Sequence, residues 1–183
     1  AISLHIESLR LSQRLVTEFR TNVHKGIAAF RVNLALPEQF PKTFLDADGN
    51  IKEATYEDLC RAATAYNLRL GMLITASAFR SSQKINEVWL SGICDTDKLH
   101  ACLFSFHITR EQFAETHITE ETDPLDIFKL WNAQIYAVDG MLHAVRPLFT
   151  LDNEIFCPPS RYDFVESSQK RLRSEERRVG KEC

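Results

Sequence analysis

The sequence predicts an α+β domain: an antiparallel sheet of five or six strands with helices packed on it. Three observations carry this. Several runs alternate apolar and polar residues with the period of a strand, as in Ala28, Phe30, Val32, Leu34 and Leu36. Helix-capping signals stand before other stretches, at Thr55, Thr109 and Asp123. Turn residues separate these runs without long insertions, as in Asp95-Thr96-Asp97-Lys98.

Taken in order, Ile2, Leu4 and Ile6 alternate with Ser3, His5 and Glu7, which predicts a strand reaching to Leu11. From Leu15 to Val23 the residues fit either a strand, through Leu15, Thr17, Phe19 and Val23, or a helix at spacing four. The strand is preferred because His24-Lys25-Gly26 reads as a turn into the alternation from Ala28 to Leu36. Pro37 and Pro41 close that hairpin. Asp46-Ala47-Asp48-Gly49-Asn50-Ile51 has the look of a calcium loop, but aligning Gly49 with the loop glycine puts Phe44 at the first ligand position and Thr55 at the twelfth, where an oxygen ligand and a bidentate glutamate belong. The segment is therefore read as a tight Asp/Gly turn.

Thr55 caps a helix expected to run to about Tyr66, with Glu57 and Asp58 in the first turn and Leu59, Ala62, Ala63 and Tyr66 as its buried stripe. Three strands follow, Leu68 to Phe79, Ile85 to Cys94 and Leu99 to Ile108, the first contributing the row Leu70, Met72, Ile74, Ala76, Ala78. A four-residue turn at Asp95–Lys98 sets Cys94 opposite Leu99, and hence Trp89 opposite Phe104. That register groups Trp89, Ile93, Cys102, Phe104, Phe106 and Ile108 on one face, and Val88, Leu90, Ala101 and Leu103 on the other. Thr109 to Gln112 has the form of a capping box and starts a short helix. Asp123-Pro124 starts another, whose stripe Leu125, Phe128, Trp131, Ile135, Val138 extends over four turns. Asp139-Gly140 either ends this helix or forms the turn of a hairpin between Ile135–Val138 and Met141–Val145. Pro147 and Pro158-Pro159 mark the chain after it as irregular.

The chain has 183 residues, enough for one domain with a core and short for two. Residues 1–172 are read as that single domain, with truncation at either end left open. Arg173 to Cys183 resembles the translation of a common sequencing adaptor and is expected to be an unstructured scar. Removing its four basic and three acidic residues takes the formal net charge from -3 to -4. No cluster of Lys and Arg precedes Lys170, so nucleic acid is a disfavoured partner. No apolar run approaches the roughly 20 residues that span a bilayer. Cys60, Cys94, Cys102 and Cys157 are too few to brace a domain of this size, and reduced thiols in a cytoplasmic protein are expected.

Two His-Ile-Thr triplets occur, at His107–Thr109 and His117–Thr119. They resemble the paired His-x-Thr signature of the 2H phosphoesterases. The resemblance implies an acid and a base, His107 and His117, with Thr109 and Thr119 holding a phosphate. In that family the triplets belong to two halves of a duplicated fold, whereas here ten residues separate them. Cys94, His100 and Cys102 lie on one predicted hairpin, but no Cys-x-x-Cys pair is present and the two thiols face opposite ways, so no metal site is expected. Neither a phosphate-cradling glycine loop nor a Gly-x-Ser-x-Gly elbow is present, and no cofactor is expected. The expected function is a non-catalytic binding or assembly module with a protein partner; phosphoester hydrolysis is the alternative.

Overall fold

The computed structural model describes residues 16–97 and 99–157. The expected strand at Ile2–Leu11 and the expected scar at Arg173–Cys183 lie outside them. Strands β1 (Val16–Asn22) and β2 (Ile27–Asn33) form an antiparallel hairpin, so the strand reading holds over Val16–Asn22. Its turn depends on Gly26, which adopts a φ of +70°, and a Cβ there would meet the Lys84 carbonyl oxygen at 2.9 Å. A one-turn 3-10 helix at Pro37–Gln39 and a small hairpin of β3 (Thr43–Leu45) and β4 (Ile51–Glu53) follow. The turn of that hairpin is the Asp/Gly turn expected: Asp46 Oδ1 accepts from the backbone N–H of Asp48 at 3.0 Å and of Asn50 at 2.9 Å.

Helix α1 (Tyr56–Ser81) is then the longest element of the described chain. Thr55 caps it reciprocally: its Oγ1 accepts from the Asp58 N–H at 3.2 Å, and Asp58 Oδ2 accepts from the Thr55 N–H at 2.9 Å. Beyond α1 lie β5 (Glu87–Asp95), β6 (His100–Thr109), α2 (Arg110–Glu115), α3 (Pro124–Leu130), β7 (Gln134–Val138), β8 (Met141–His143) and a 3-10 turn at Glu154–Phe156. Six strands form one sheet in the order β1-β2-β5-β6-β7-β8, antiparallel except for the β2–β5 pair. The fold is α+β, with three helices against a mostly antiparallel sheet. No helix among the described residues is long and apolar enough to cross a membrane.

Three expectations are corrected. Leu68 to Phe79 is helix, not strand: α1 continues through it, burying Leu70, Ile74 and Ala78 together with Gly71 and Thr75 against the sheet. The β5–β6 register also differs. Asp95 faces His100, Cys94 faces Ala101, and a bulge between Gly92 and Ile93 leaves Leu103 unpaired. Trp89 therefore faces His107, Leu90 faces Phe106, and Gly92 rather than Trp89 lies opposite Phe104. The extra residue moves Trp89 off the face that carries Phe104, Phe106 and Ile108, and puts Val88 and Leu90 on it. Finally, α3 stops at Leu130, where Asn132 takes a left-handed φ of 53°. Ile135 and Val138 belong to β7, and Asp139 and Gly140, both at positive φ, make the two-residue turn to β8.

The sheet has two unlike faces. On one, Ala28, Phe30, Val32, Val88, Leu90, Phe104, Phe106 and Ile108 pack against α1 and against Ile127, Phe128 and Trp131 around α3. On the other, Ile27, Ala29 and Trp89 are covered by Phe149 and Phe156 from the segment after β8. Asn22 fixes that segment, its Nδ2 donating to the carbonyls of Ile155 and Cys157, each at 3.1 Å.

Candidate functional site

The parallel pair β2–β5 sets up a cleft at its end. Leu34 N–H donates to Ile93 O at 2.8 Å, which continues the pairing one step beyond β2, after which the chain leaves the sheet. Asn67, buried on α1, receives it: Oδ1 accepts from the Ala35 N–H and Nδ2 donates to the Ala35 carbonyl, both at 2.9 Å. One amide side chain thus satisfies both backbone groups of Ala35 where no strand partner exists. Between this anchored stretch, the first turns of α1, the β5–β6 turn and β8 opens a cleft of about 720 Å³. Leu34, Leu36, Ala63, Leu99, Leu103 and Leu142 give it apolar walls. It lies past the carboxyl ends of the two parallel strands, the place where crossover topology leaves a gap in α/β sheets.

The polar groups of the cleft are Glu38, Tyr56, Cys60, Thr64, Asn67, Cys94, Thr96 and Asp97. Tyr56 is pushed further above neutrality by its hydrogen bond with the Cys60 thiol, with the charge of Glu38 adding to this. Burial pushes the Cys94 thiol up, helped by Glu38 and Asp95. At neutral pH both therefore stay protonated, which makes Cys94 a poor nucleophile. The cleft thus combines mainly apolar walls with these few polar groups.

A shallower groove of about 550 Å³ runs along the outer side of α1, between Arg69, Met72, Leu73 and Ala76 and the chain around Phe113 and Ile118.

The His-Ile-Thr residues are not brought into one cleft. His107 projects from the sheet face away from α1, stacked on Trp89 with centroids 4.1 Å apart, and its Nε2 lies 2.9 Å from Glu87 Oε2. Thr109 caps α2, its Oγ1 accepting from the Gln112 N–H at 3.2 Å. His117 is exposed on the segment after α2, and its neighbours sit on the α1 side: Thr116 accepts from Trp131 Nε1 at 3.0 Å and Ile118 lines the outer groove. Thr119 shares a hydroxyl hydrogen bond of 2.8 Å with Thr122. Cys94, His100 and Cys102 likewise separate. Cys94 faces the cleft, His100 Nδ1 meets Asp95 Oδ1 at 3.0 Å, and the Cys102 thiol donates to Phe104 O at 3.2 Å.

Sequence reasoning missed the cleft, because its walls come from five separated stretches. One local signal was available: Asn67 interrupts the apolar run of α1 at a position that faces the sheet, and a buried amide needs a backbone to bind.

Comparison of the chain with protein-family models, with curated proteins and with solved structures finds no match in any of the three.

Proposed function

We propose that this chain is a non-catalytic binding module whose cleft receives an apolar segment of a partner protein. The observation that carries the reading is the apolar cleft of about 720 Å³, within the range of roughly 300–1,000 Å³ typical of ligand sites. A protein partner is favoured over a small molecule by what stands beside the cleft. Tyr56 on its rim is 64% exposed and begins α1 immediately after the β3–β4 hairpin, on which Leu45 and Ile51 are 68% and 76% exposed. These two face one another across the hairpin and so form one apolar patch. A two-stranded hairpin is marginal in water by itself, and a covering partner would stabilise it. The unpaired thiols of Cys60, Cys94, Cys102 and Cys157 accord with a reducing, cytoplasmic setting, and the acidic balance accords with a partner other than nucleic acid.

Selection of a displayed random-peptide library on the purified chain tests this. Apolar peptides should be enriched, and Leu36→Glu or Leu99→Glu in the cleft should weaken their binding at least about tenfold, the loss expected when a charge meets an apolar contact. Enrichment of no peptide, or equal binding by the parent and both variants, would remove the reading. Phosphoester hydrolysis by His107 and His117 rests on the paired triplets alone.

A further inference from the structure

We infer that β1 is a self-association edge, through which two copies of this chain pair antiparallel about Phe19 and join their sheets. Among the described residues β1 has a strand neighbour on one side only, β2. It is a regular seven-residue strand, paired without a bulge. Its sequence Val-Thr-Glu-Phe-Arg-Thr-Asn has neither the lysine nor the proline that commonly guard a sheet edge. The edge at the far end of the sheet, β8, is only three residues long.

Strand geometry restricts how such an edge meets its own copy. Alternate residues aim their backbone N–H and C=O outward, so two copies related by a twofold axis must pair residues of equal parity, and the axis must pass through a residue. Centring on Glu18 sets the two Glu18 carboxylates opposite each other. Centring on Arg20 does the same to two guanidinium groups. Both place like charges directly across, which is unfavourable. Centring on Phe19 puts Glu18 opposite the other copy's Arg20 twice, Thr17 opposite Thr21 twice, and the two Phe19 rings side by side. Thr-Glu-Phe-Arg-Thr is thus a complementary palindrome about its middle residue.

The side chains suit that register. Glu18 and Arg20 are both exposed on the face away from α1. Glu18 has Arg31 at 3.4 Å, while Arg20 makes no ion pair among the described residues, so an incoming Arg20 would complete a cluster around Glu18. Phe19 is half-buried against Phe30, with centroids 6.0 Å apart, which leaves one side of its ring for the symmetry mate.

Sedimentation of the full chain over a range of concentrations, with charge variants, tests the inference. The parent should show a reversible dimer. Arg20→Glu should weaken it at least about tenfold, and Glu18→Arg combined with Arg20→Glu should return it to near the parent value. Both positions are exposed, so circular dichroism should be unchanged. Mixing Thr17→Cys chains with Thr21→Cys chains under mild oxidation should yield the 17–21 cross-link in mass-spectrometric maps. A parent that remains monomeric at all concentrations, a dimer indifferent to Arg20→Glu, or cross-linking without the 17–21 product would each overturn it.

Discussion

The ring of Phe104 occupies the space that a side chain on Gly92 would need. A Cβ at Gly92 would sit 2.5 Å from Phe104 Cζ, and Phe104 is itself fully buried, edge-on to Phe128 with centroids 5.1 Å apart. The bulge beside Gly92 and the aromatic cluster under α1 are therefore one packing unit.

Gly92→Ala should accordingly destabilise the fold by about 1–3 kcal/mol through overpacking. Phe104→Ala should cost roughly 3–5 kcal/mol by lost burial and a cavity. Because the two residues compete for one space, the double variant should lose less than the two losses added. Chemical denaturation of the four proteins gives the coupling directly, and strict additivity would show that the ring yields freely.

Arg110 ties three chain segments together. Its guanidinium donates to the carbonyls of Phe79 at 3.0 Å and Ser82 at 2.7 Å, at the C-terminal end of α1, and also to Ile85, while lying 5.0 Å from the Phe79 ring centre. A cation there satisfies helix-end carbonyls and complements the helix dipole. Arg110→Ala should lower stability by roughly 2 kcal/mol or more, with hydrogen bonds to a charged group worth about 1.5–3 kcal/mol each before relaxation. Arg110→Lys should recover only part of this, since an ammonium cannot fork between the carbonyls. Full recovery by lysine would assign the effect to charge alone.

Burial pushes the Cys102 thiol up to about 11, against an ordinary value of 9.0, and Cys94 moves the same way. Both should resist alkylation at pH 8 in the folded protein, while exposed Cys157 reacts quickly. The sign for stability follows. A thiol whose pKa is higher folded than unfolded contributes fully below about pH 9, and that contribution is lost as pH rises toward 11. Peptide mapping after timed alkylation, together with melting curves from pH 8 to 11, would check both. Early modification of Cys102 would contradict its placement.

For His107→Gln, the binding-module reading expects stability within about 1 kcal/mol of the parent, the usual range for substitutions outside a core. It also expects no hydrolysis of cyclic or linear phosphodiesters by the parent. The hydrolase reading expects the reverse, activity in the parent that falls by a factor of about 100 to 10,000 in His107→Gln and in His117→Gln. Activity abolished by both single changes would replace the proposed function.

Much of the architecture was legible. The caps at Thr55, Thr109 and Asp123, the alternation of β2 and the Asp46–Asn50 turn are local matters, decided by residues within hydrogen-bonding reach of one another. What failed was decided at a distance. In α1, Leu68, Leu70, Met72, Ile74 and Ala78 are all buried because the helix is packed over a wide arc, and that arc turned its helical period into apparent alternation. Leu59, Ala63, Asn67, Leu70, Ile74 and Ala78 keep the helical spacing throughout, with no proline to stop a helix begun at Thr55. In β5–β6 the turn ends one residue later than read, which alone preserves the faces. The bulge adds a single residue more, and an odd shift exchanges them. The cleft was hidden for the same reason, since only the β2–β5 pairing brings Leu34 near Cys94.

The single parallel seam also orders the assembly of the chain in time. Hairpins β1–β2 and β5–β6 close through short turns, events of microseconds in general. The pairs that join them, from Ile27 with Glu87 to Asn33 with Ile93, are 60 positions apart in sequence. Their closure carries the entropy of a long loop, which the docking of α1 over Phe30 and Leu90 helps to offset. The meeting of two local hairpins under one helix is thus the costly long-range step of this fold, and substitutions on the sheet-facing side of α1 should slow it.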